Sequence, residues 1–307
     1  MSVVVLAYHE MGRACLRTLL RCGVPVSAVF TYEDDPAEGG WFGSVAEAAR
    51  SAGLPTFTTE AINEPRWVEH VAGLTPDVLF SFHYRHLVKK PLRSIPRHGA
   101  VNLHASLLPR YRGRSPLNWQ LVHGESESGV TLHHMLARAD AGDVIAQRRV
   151  PVGPDDTALE LYRRLVRAAE ALLEEQLAGI LAGTAPRIPQ DESLATSFGG
   201  RTPEDGRIDW RRPAREIHDL VRAVSRPWPG AFSDLAGGRL MLWRTAPRAA
   251  IAGASDLAPG EIWCGAGSWF VGTGDGWIEL LDFECSAPDG LRGDEVIPAP
   301  CAGRSAA

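Results

Sequence analysis

Short, unbroken apolar runs rich in β-branched residues recur through the first third of the chain, and few architectures accept that pattern. Val3–Tyr8 (VVVLAY) is the first such run, Val24–Tyr32 the second, Pro76–Phe82 (PDVLFSF) the third and Gly99–Leu103 (GAVNL) the fourth. A strand that is apolar at every position, instead of every second one, must be covered on both faces. The segments between the runs have helical spacing. Arg13–Arg21 shows it through Ala14, Leu16 and Leu19; Ser44–Ala52 and Pro65–Leu74 are two more helices, the last with Asn63 as its expected cap. Strands alternating with helices predict an α/β fold built on a parallel sheet with helices on both faces. Gly12, just after the first strand, is expected to make a tight turn, since neither a GxGxxG nor a Walker pattern follows it.

The pattern continues with two strands, Gly129–Met135 and Val144–Val152, and a long amphipathic helix over Leu159–Leu181, for which Asp155–Thr157 offers a cap. Gly183–Gln190 is punctuated by glycine and proline and reads as a connector. Beyond it the character changes. One helix is expected at Ala214–Ser225, then short apolar runs between glycines at Leu240–Trp243, Gly260–Cys264, Trp269–Val271 and Trp277–Phe283. These predict a smaller β-rich domain of the barrel-like kind. The expected domains are therefore 1–190 and 201–307, with the tail CAGRSAA disordered. Trp228, between two prolines in RPWPGAF, reads as a domain hinge that partly lines a cleft.

Charge limits the partners. The 32 basic and 37 acidic residues among 307 leave a formal net charge of −5. In the second domain, ten arginines and six acids over 201–250 leave +4, two arginines and nine acids over 251–307 leave −7, a net of −3. A nucleic-acid partner is disfavoured, because it asks for a basic excess or a basic face. Lys89 and Lys90 are the only lysines, so nearly all positive charge is arginine, suited to bidentate contact with phosphate or carboxylate. The five cysteines (Cys15, Cys22, Cys264, Cys285, Cys301) are odd in number and lack CxxC spacing, which argues against a disulfide framework and a structural zinc site. No apolar run reaches membrane-spanning length and the N-terminus has no basic leader, so no membrane role and a cytoplasmic location are expected. The oligomeric state is left open.

The densest chemistry lies in Ala100–Asp143 (AVNLHASLLPRYRGRSPLNWQLVHGESESGVTLHHMLARADAGD). Asn102 and His104 are two residues apart at the end of a strand, so they share a face, and in parallel sheets sites open at the carboxyl ends of strands. A neutral imidazole can take or give a proton near pH 7. An Asn amide can donate to an oxygen that gains negative charge. An aspartate beside the histidine, for which Asp140 of RADAGD is the candidate, would hold its tautomer and favour the imidazolium. Such a set suits acyl transfer to an amine without a covalent enzyme intermediate. Taken alone, N-x-H at a strand end is also a common packing arrangement, and Asp140 could simply cap a loop. What distinguishes this stretch is the intervening SLLPRYRGRSP, a loop marked by proline and glycine that carries three arginines.

The series N-L-H-A-S-L-L-P-R-Y-R-G, G-V-T-L-H and A-D-A-G-D resembles the signature of the folate-dependent formyltransferases. Further stretches (AYHEMG, FSFHYRHL at 80–87, RYRGRSPLNWQLVHGE at 110–125, RADAGD at 138–143 and SRPWPGAFS at 225–233) are similar to the branch acting on UDP-4-amino-4-deoxy-L-arabinose, the formyltransferase half of a bifunctional polymyxin-resistance protein. The similarity runs from the first strand to about Phe283. It implies a Rossmann-like formyl-transfer domain, then a small barrel-like (OB-like) domain, with 10-formyltetrahydrofolate as co-substrate, no metal and a nucleotide-sugar acceptor from lipid A modification. It also implies roles: Asn102 stabilises the tetrahedral intermediate, His104 shuttles the proton, and Asp140 orients His104 and favours its charged form. His86, Leu87 and Val88, the segment Leu136, Ala137, Arg138, Ala139 and Asp140, and Arg114 correspond to folate contacts. The bifunctional relative carries a second, dehydrogenase-decarboxylase half that this chain does not show, so the sequence leaves a free-standing enzyme and one half of a larger protein both open.

Other signals are weaker. His83, His86, His133 and His134 invite a metal reading, but no carboxylate or cysteine joins them at ligand spacing, and surface or packing roles fit better. Arg110, Arg112 and Arg114 could bind a diphosphate or form a solvated basic loop. Three other readings stay open. Methionyl-tRNA formyltransferase shares the trio, although the short acidic EDDPAEGGWFG after Thr31 and the −3 charge speak against it. Hydroxyornithine or another amino sugar could be the acceptor, and a folate-binding module without turnover is the third alternative.

Overall fold

The computed structural model describes residues 1–235, 237–251, 257–265 and 267–286. The tail CAGRSAA and Cys301 lie outside the described residues. The chain divides into two compact units, one made of Met1–Pro116, Glu127–Pro151 and Tyr162–Gly199, the other of Leu117–Ser126, Val152–Leu161 and the chain from Gly200 onward.

In chain order the elements are β1 (Val3–Ala7), α1 (His9–Arg21), β2 (Val26–Thr31), α2 (Val45–Ser51), β3 (Thr56–Thr58), α3 (Pro65–Gly73), β4 (Val78–Phe82), α4 (Lys90–Arg93), β5 (Ala100–His104) and β6 (Arg112–Gly113). They continue with α5 (Pro116–Val122), β7 (Glu127–His134), β8 (Val144–Pro151), α6 (Ala158–Ala182), β9 (Ser197–Phe198) and α7 (Ala214–Val224). Five strands close the list: β10 (Ala231–Leu235), β11 (Gly238–Arg248), β12 (Ile262–Gly265), β13 (Ser268–Gly272) and β14 (Trp277–Cys285).

The first unit is organised by a seven-stranded sheet of order β3-β2-β1-β4-β5-β7-β8. β1 and β4 are buried at every position, as their continuous apolar runs require. The first five strands in that order are parallel, while β5–β7 and β7–β8 pair antiparallel, so the predicted parallel sheet ends in an antiparallel return. For β7 and β8 the reason is the connection: the short loop 135–143 joins them as a hairpin, whereas a parallel pair needs a longer crossover. The chain moves outward from β1 through β2 to β3 and then returns to β4 on the other side of β1. That reversal is a topological switch point, where strand ends open a crevice. The core behind it contains Val4, Leu6, Phe30, Ile62, Leu79 and Val88, all at most 1% exposed.

Three local expectations need correction. Gly12 makes no turn; it lies inside α1, where a Cβ would sit 3.0 Å from the Phe82 carbonyl oxygen and 3.1 Å from the Ala7 Cβ. Its small size lets the first turn of α1 close onto β1 and β4. Val24 is not in β2, because its N–H bonds the Leu19 carbonyl (3.0 Å) and so ends α1. Asn63 does not cap α3, whose N-cap is Glu64. Its Nδ2 donates to the Leu87 carbonyl (2.9 Å) and its Oδ1 accepts from the Lys89 N–H (2.7 Å), which ties down the loop after β4.

The second unit has an antiparallel five-stranded sheet of order β10-β11-β14-β13-β12, with α7 packed against β11. Among the described residues the end strands β10 and β12 do not pair with each other. The Trp210 indole N–H donates to Ser233 Oγ (2.9 Å), and Asp275 accepts from the first N–H of α7 (2.7 Å). Trp228 is no hinge between units: its N–H bonds the Ser225 carbonyl (3.1 Å) in the turn that joins α7 to β10, inside the second unit. Among the described residues no helix is long and apolar enough to cross a membrane.

Candidate active site

β5 ends at His104, and its alternation places Asn102 and His104 on one face. The antiparallel partner β7 sets His133 opposite Asn102 and Thr131 opposite His104. Directly opposed residues share a face, so these four side chains form a single patch.

The loop between β5 and β6 is folded back on itself. Ser106 Oγ donates to the Arg110 carbonyl (2.7 Å), Thr131 Oγ1 donates to the Ser106 carbonyl (2.6 Å), and Gln147 Nε2 donates to the Leu108 carbonyl (2.7 Å). This brings the Tyr111 carbonyl to 2.7 Å from His104 Nε2. A carbonyl only accepts, so Nε2 carries the hydrogen and Nδ1 is the nitrogen free to take up a proton. His104 Nδ1 lies 3.6 Å from Asp140 Oδ1, longer than a hydrogen bond, as catalytic contacts often are before substrate is present.

Asp140 is the hub. It sits in the loop 135–143 with φ 53°, a left-handed conformation that an L-residue keeps only when its surroundings impose it. The Gln190 side chain imposes it here, donating to the carbonyls of Asp140 (2.8 Å) and Gly142 (2.7 Å). The Gly113 N–H donates to Asp140 Oδ2 (2.9 Å), while Oδ1 faces Asn102 Nδ2 at 3.5 Å and His133 Nε2 at 3.5 Å. Gly113 has φ 97°, and a Cβ there would lie 2.3 Å from the Phe198 carbonyl oxygen, so only glycine allows this approach. Burial pushes the Asp140 carboxyl upward. The neighbouring His104 and His133 rings and the Gly113 N–H outweigh it and hold the group well below the usual carboxylate range. Asp140 is therefore a half-buried carboxylate whose surroundings favour its ionised form.

A half-buried anion with an amide, an imidazole able to take up a proton and a second imidazole around it can perform proton transfer beside a developing oxyanion. A family model described as formyl transferase matches residues 2–177, and one described as formyl transferase, C-terminal domain, matches residues 201–295. The chain belongs to the formyl transferase family. This formyltransferase is similar in fold to an N-formyltransferase from Helicobacter canadensis solved with folinic acid and dTDP-3-aminofucose (19% identity, 92% of this chain and 99% of that one, TM-score 0.72). It is also similar to a sugar N-formyltransferase from a Shewanella species (19% identity, 79% and 96% covered, TM-score 0.63). A methionyl-tRNA formyltransferase from Clostridium thermocellum is a third such structure (16% identity, 81% and 94% covered, TM-score 0.57).

The remaining sequence candidates of the formyltransferase differ in burial. Val88 is 1% exposed and belongs to the core, whereas Leu87 and Leu136 are 52% and 51% exposed. His86 Nδ1 lies 2.9 Å from the Tyr32 hydroxyl. Ala137, Arg138 and Ala139 are exposed, with Arg138 paired to Glu192 at 2.8 Å. Arg114 is exposed and anchored by its backbone N–H to the Phe198 carbonyl (3.0 Å). Arg112 overturns the idea of a three-arginine diphosphate clamp: it is 1% exposed and donates to Gln190 Oε1 (2.7 Å) and Glu192 Oε1 (2.7 Å). Its charge is spent on holding the Gln190 that holds Asp140.

AYHEMG and FSFHYRHL meet at the switch point. Tyr8 donates to Glu38 Oε2 (2.6 Å), Glu38 pairs with Arg85, and the Arg85 guanidinium lies 4.4 Å from the Tyr8 ring centroid. The Tyr162 hydroxyl accepts from the Met11 N–H (2.9 Å) and so donates to His9 Nδ1 (2.6 Å). Burial, then the neighbouring His83 and Arg85, push His9 down to about 2, in keeping with a ring that accepts at Nδ1. Among the described residues no group of three or more His, Cys, Asp or Glu side chains could hold a metal ion.

Reading the sequence alone gave His133 a surface or packing role and missed Gln190. The signal for His133 was present in GVTLHH, two residues past Thr131, but it needs the antiparallel register to be heard.

Proposed function

We propose that this enzyme transfers the formyl group of 10-formyltetrahydrofolate to the amine of a nucleotide-linked amino sugar, with UDP-4-amino-4-deoxy-L-arabinose as the first acceptor. The observation that carries the reading is the convergence of Asn102, His104 and Asp140 at the carboxyl end of β5, with Oδ1 of Asp140 within 3.5–3.6 Å of the other two side chains. The acceptor class is supported by the run of similar stretches from AYHEMG to SRPWPGAFS and by the net charge of −3 over residues 201–307. The Helicobacter canadensis protein, solved with folinic acid and dTDP-3-aminofucose, supports it further. Formylation of that acceptor would place the enzyme in lipid A modification and polymyxin resistance.

The surroundings fit a folate. Val88 and Met135 pack in one cluster, so the loops after β4 and β7 emerge from the same core, and each presents an exposed leucine there, Leu87 and Leu136. Exposed apolar side chains beside backbone polar groups suit an aromatic ring system with a polar edge. His86, Leu87, Leu136, Ala137, Arg138, Ala139, Asp140 and Arg114 are the proposed contacts, and Val88 contributes through its backbone. The bound donor supplies the formyl carbon and a nitrogen leaving group. Asn102 Nδ2 donates to the formyl oxygen as it gains charge. His104 takes the proton of the attacking amine at Nδ1 and returns it to the departing nitrogen, with Asp140 stabilising the interim imidazolium.

The test is tetrahydrofolate release with four acceptors in parallel: UDP-4-amino-4-deoxy-L-arabinose, a dTDP-linked amino sugar, hydroxyornithine and charged methionyl-tRNA. Turnover on a nucleotide sugar is expected. Activity on the tRNA alone would overturn the acceptor class, and folate binding without turnover on any amine would overturn catalysis.

A further inference from the structure

His133 has the shortest side-chain contact made by Asn102: its Nε2 lies 3.0 Å from Asn102 Nδ2. It is 2% exposed and fixed at both edges of the ring. Nδ1 faces the His134 carbonyl at 3.0 Å, and because a carbonyl only accepts, Nδ1 carries the hydrogen. In the neutral ring Nε2 is then a lone pair, and Asn102 donates one of its two amide hydrogens to it. The other points towards Asp140 Oδ1 at 3.5 Å, the outer limit of a hydrogen bond. One hydrogen is held and the other only loosely engaged.

We propose that His133 is the positioning residue that locks the polarity of the Asn102 amide, keeping Nδ2 at this end so that its loosely held hydrogen is the donor to the reacting oxygen. An Asn side chain has two nearly isosteric ends, and the reversed one would set a carbonyl oxygen against the Asp140 carboxylate and against any oxygen gaining charge. The lone pair of His133 Nε2 accepts from nitrogen and repels oxygen, so it selects the productive end. The placement is built in, because β5 and β7 pair Asn102 with His133. His104 meets the Asp140 carboxylate at 3.6 Å from β5.

This inference rests on the formyl-transfer reading, and its test separates the two. Nitrogen-15 NMR of the wild-type chain at neutral pH should show His133 as the Nδ1–H tautomer, a result that needs no activity. His133→Leu should lower kcat ~10–100-fold with KM for both substrates within about threefold of wild type, as expected of a misaligned donor. His133→Gln, which can return an acceptor to Asn102, should recover kcat to within about fivefold. An Nε2–H tautomer, a Leu variant within about twofold of wild-type kcat, or a Gln variant no better than the Leu variant would each overturn the assignment. If the wild type transfers formyl to no acceptor, the functional reading falls and the tautomer alone decides His133.

Discussion

Asp140→Asn is the sharpest single perturbation of this site, because it changes charge while keeping shape. The amide can still accept the Gly113 N–H, so the backbone contact at 2.9 Å survives. What is lost is the field on His104. Two unit charges 3.6 Å apart at an effective dielectric of about 20 interact by about 4–5 kcal/mol. That is the stabilisation withdrawn from an imidazolium at Nδ1, and at 1.36 kcal/mol per decade it corresponds to ~10³-fold in kcat. KM for the acceptor should move little, since the carboxylate acts on the proton and its proposed binding contact is with the folate donor. The same substitution has a signature in stability. The folded carboxyl is held below its unfolded value near 3.8, so its contribution is complete above about pH 4 and is lost as pH falls through the lower folded value. Denaturant melts of the wild type and the Asn variant should therefore converge on acidification below about pH 4 and stay parallel above it. An Asn variant that folds normally and keeps kcat within about tenfold of wild type would refute the electrostatic role of Asp140.

Other consequences are more local. Gly113→Ala puts a Cβ against the Phe198 carbonyl at a φ that L-residues rarely adopt; a loss of about 1–3 kcal/mol in denaturant melts is expected, with a fall in kcat as the N–H on Asp140 shifts. Wild-type stability at the Gly113 position leaves that strain argument without support. Because His9 is held neutral in the fold but titrates near 6.5 when unfolded, stability should fall by up to about 1.4 kcal/mol per pH unit below that value. His9→Gln should flatten the slope, and an unchanged slope means the proton is taken up elsewhere. Arg112→Lys should destabilise the protein and lower kcat by loosening Gln190, without a selective rise in acceptor KM. A rise in acceptor KM at unchanged stability would return Arg112 to phosphate binding.

Four of the five parallel strands were legible because each is a largely apolar run, and a run covered on both faces leaves few alternatives, whereas β3, only Thr56–Thr58, gave no such signal. The shared face of Asn102 and His104 follows from the period of two, which is local. What stayed illegible depends on pairings between distant stretches: the return of β7, the β6–β9 bridge from Arg112 to Ser197, and the bonds of Gln190 to Asp140 and Arg112. Apolar periodicity carries no sign for parallel or antiparallel, so nothing in GVTLHH announces which residue will face Asn102. Gly12 and Asn63 were misread for a related reason. Both resemble local signals, a turn and a cap, while their actual service is to a neighbouring strand and to the loop after β4.

The chemistry of the site is thus a consequence of strand register as much as of residue choice. On the opposite face of the same pair, Leu103 stands against Leu132, and Val101 and Val130 bury alongside them. Burying such side chains contributes on the order of 1.5–3 kcal/mol each, and a slip of one residue would turn them outward. That cost fixes His133 opposite Asn102 and Thr131 opposite His104 with no help from the polar face. The hairpin loop is then short enough that Asp140 must return over the strand end it has just left, and the Gln190–Arg112–Glu192 network secures it there. The apolar face holds the strands in place, and the polar face is free to consist of groups chosen for reactivity. Substitutions at Leu103 or Leu132 should on this account damage turnover beyond their effect on stability, because what they loosen is the alignment of Asn102 with His133.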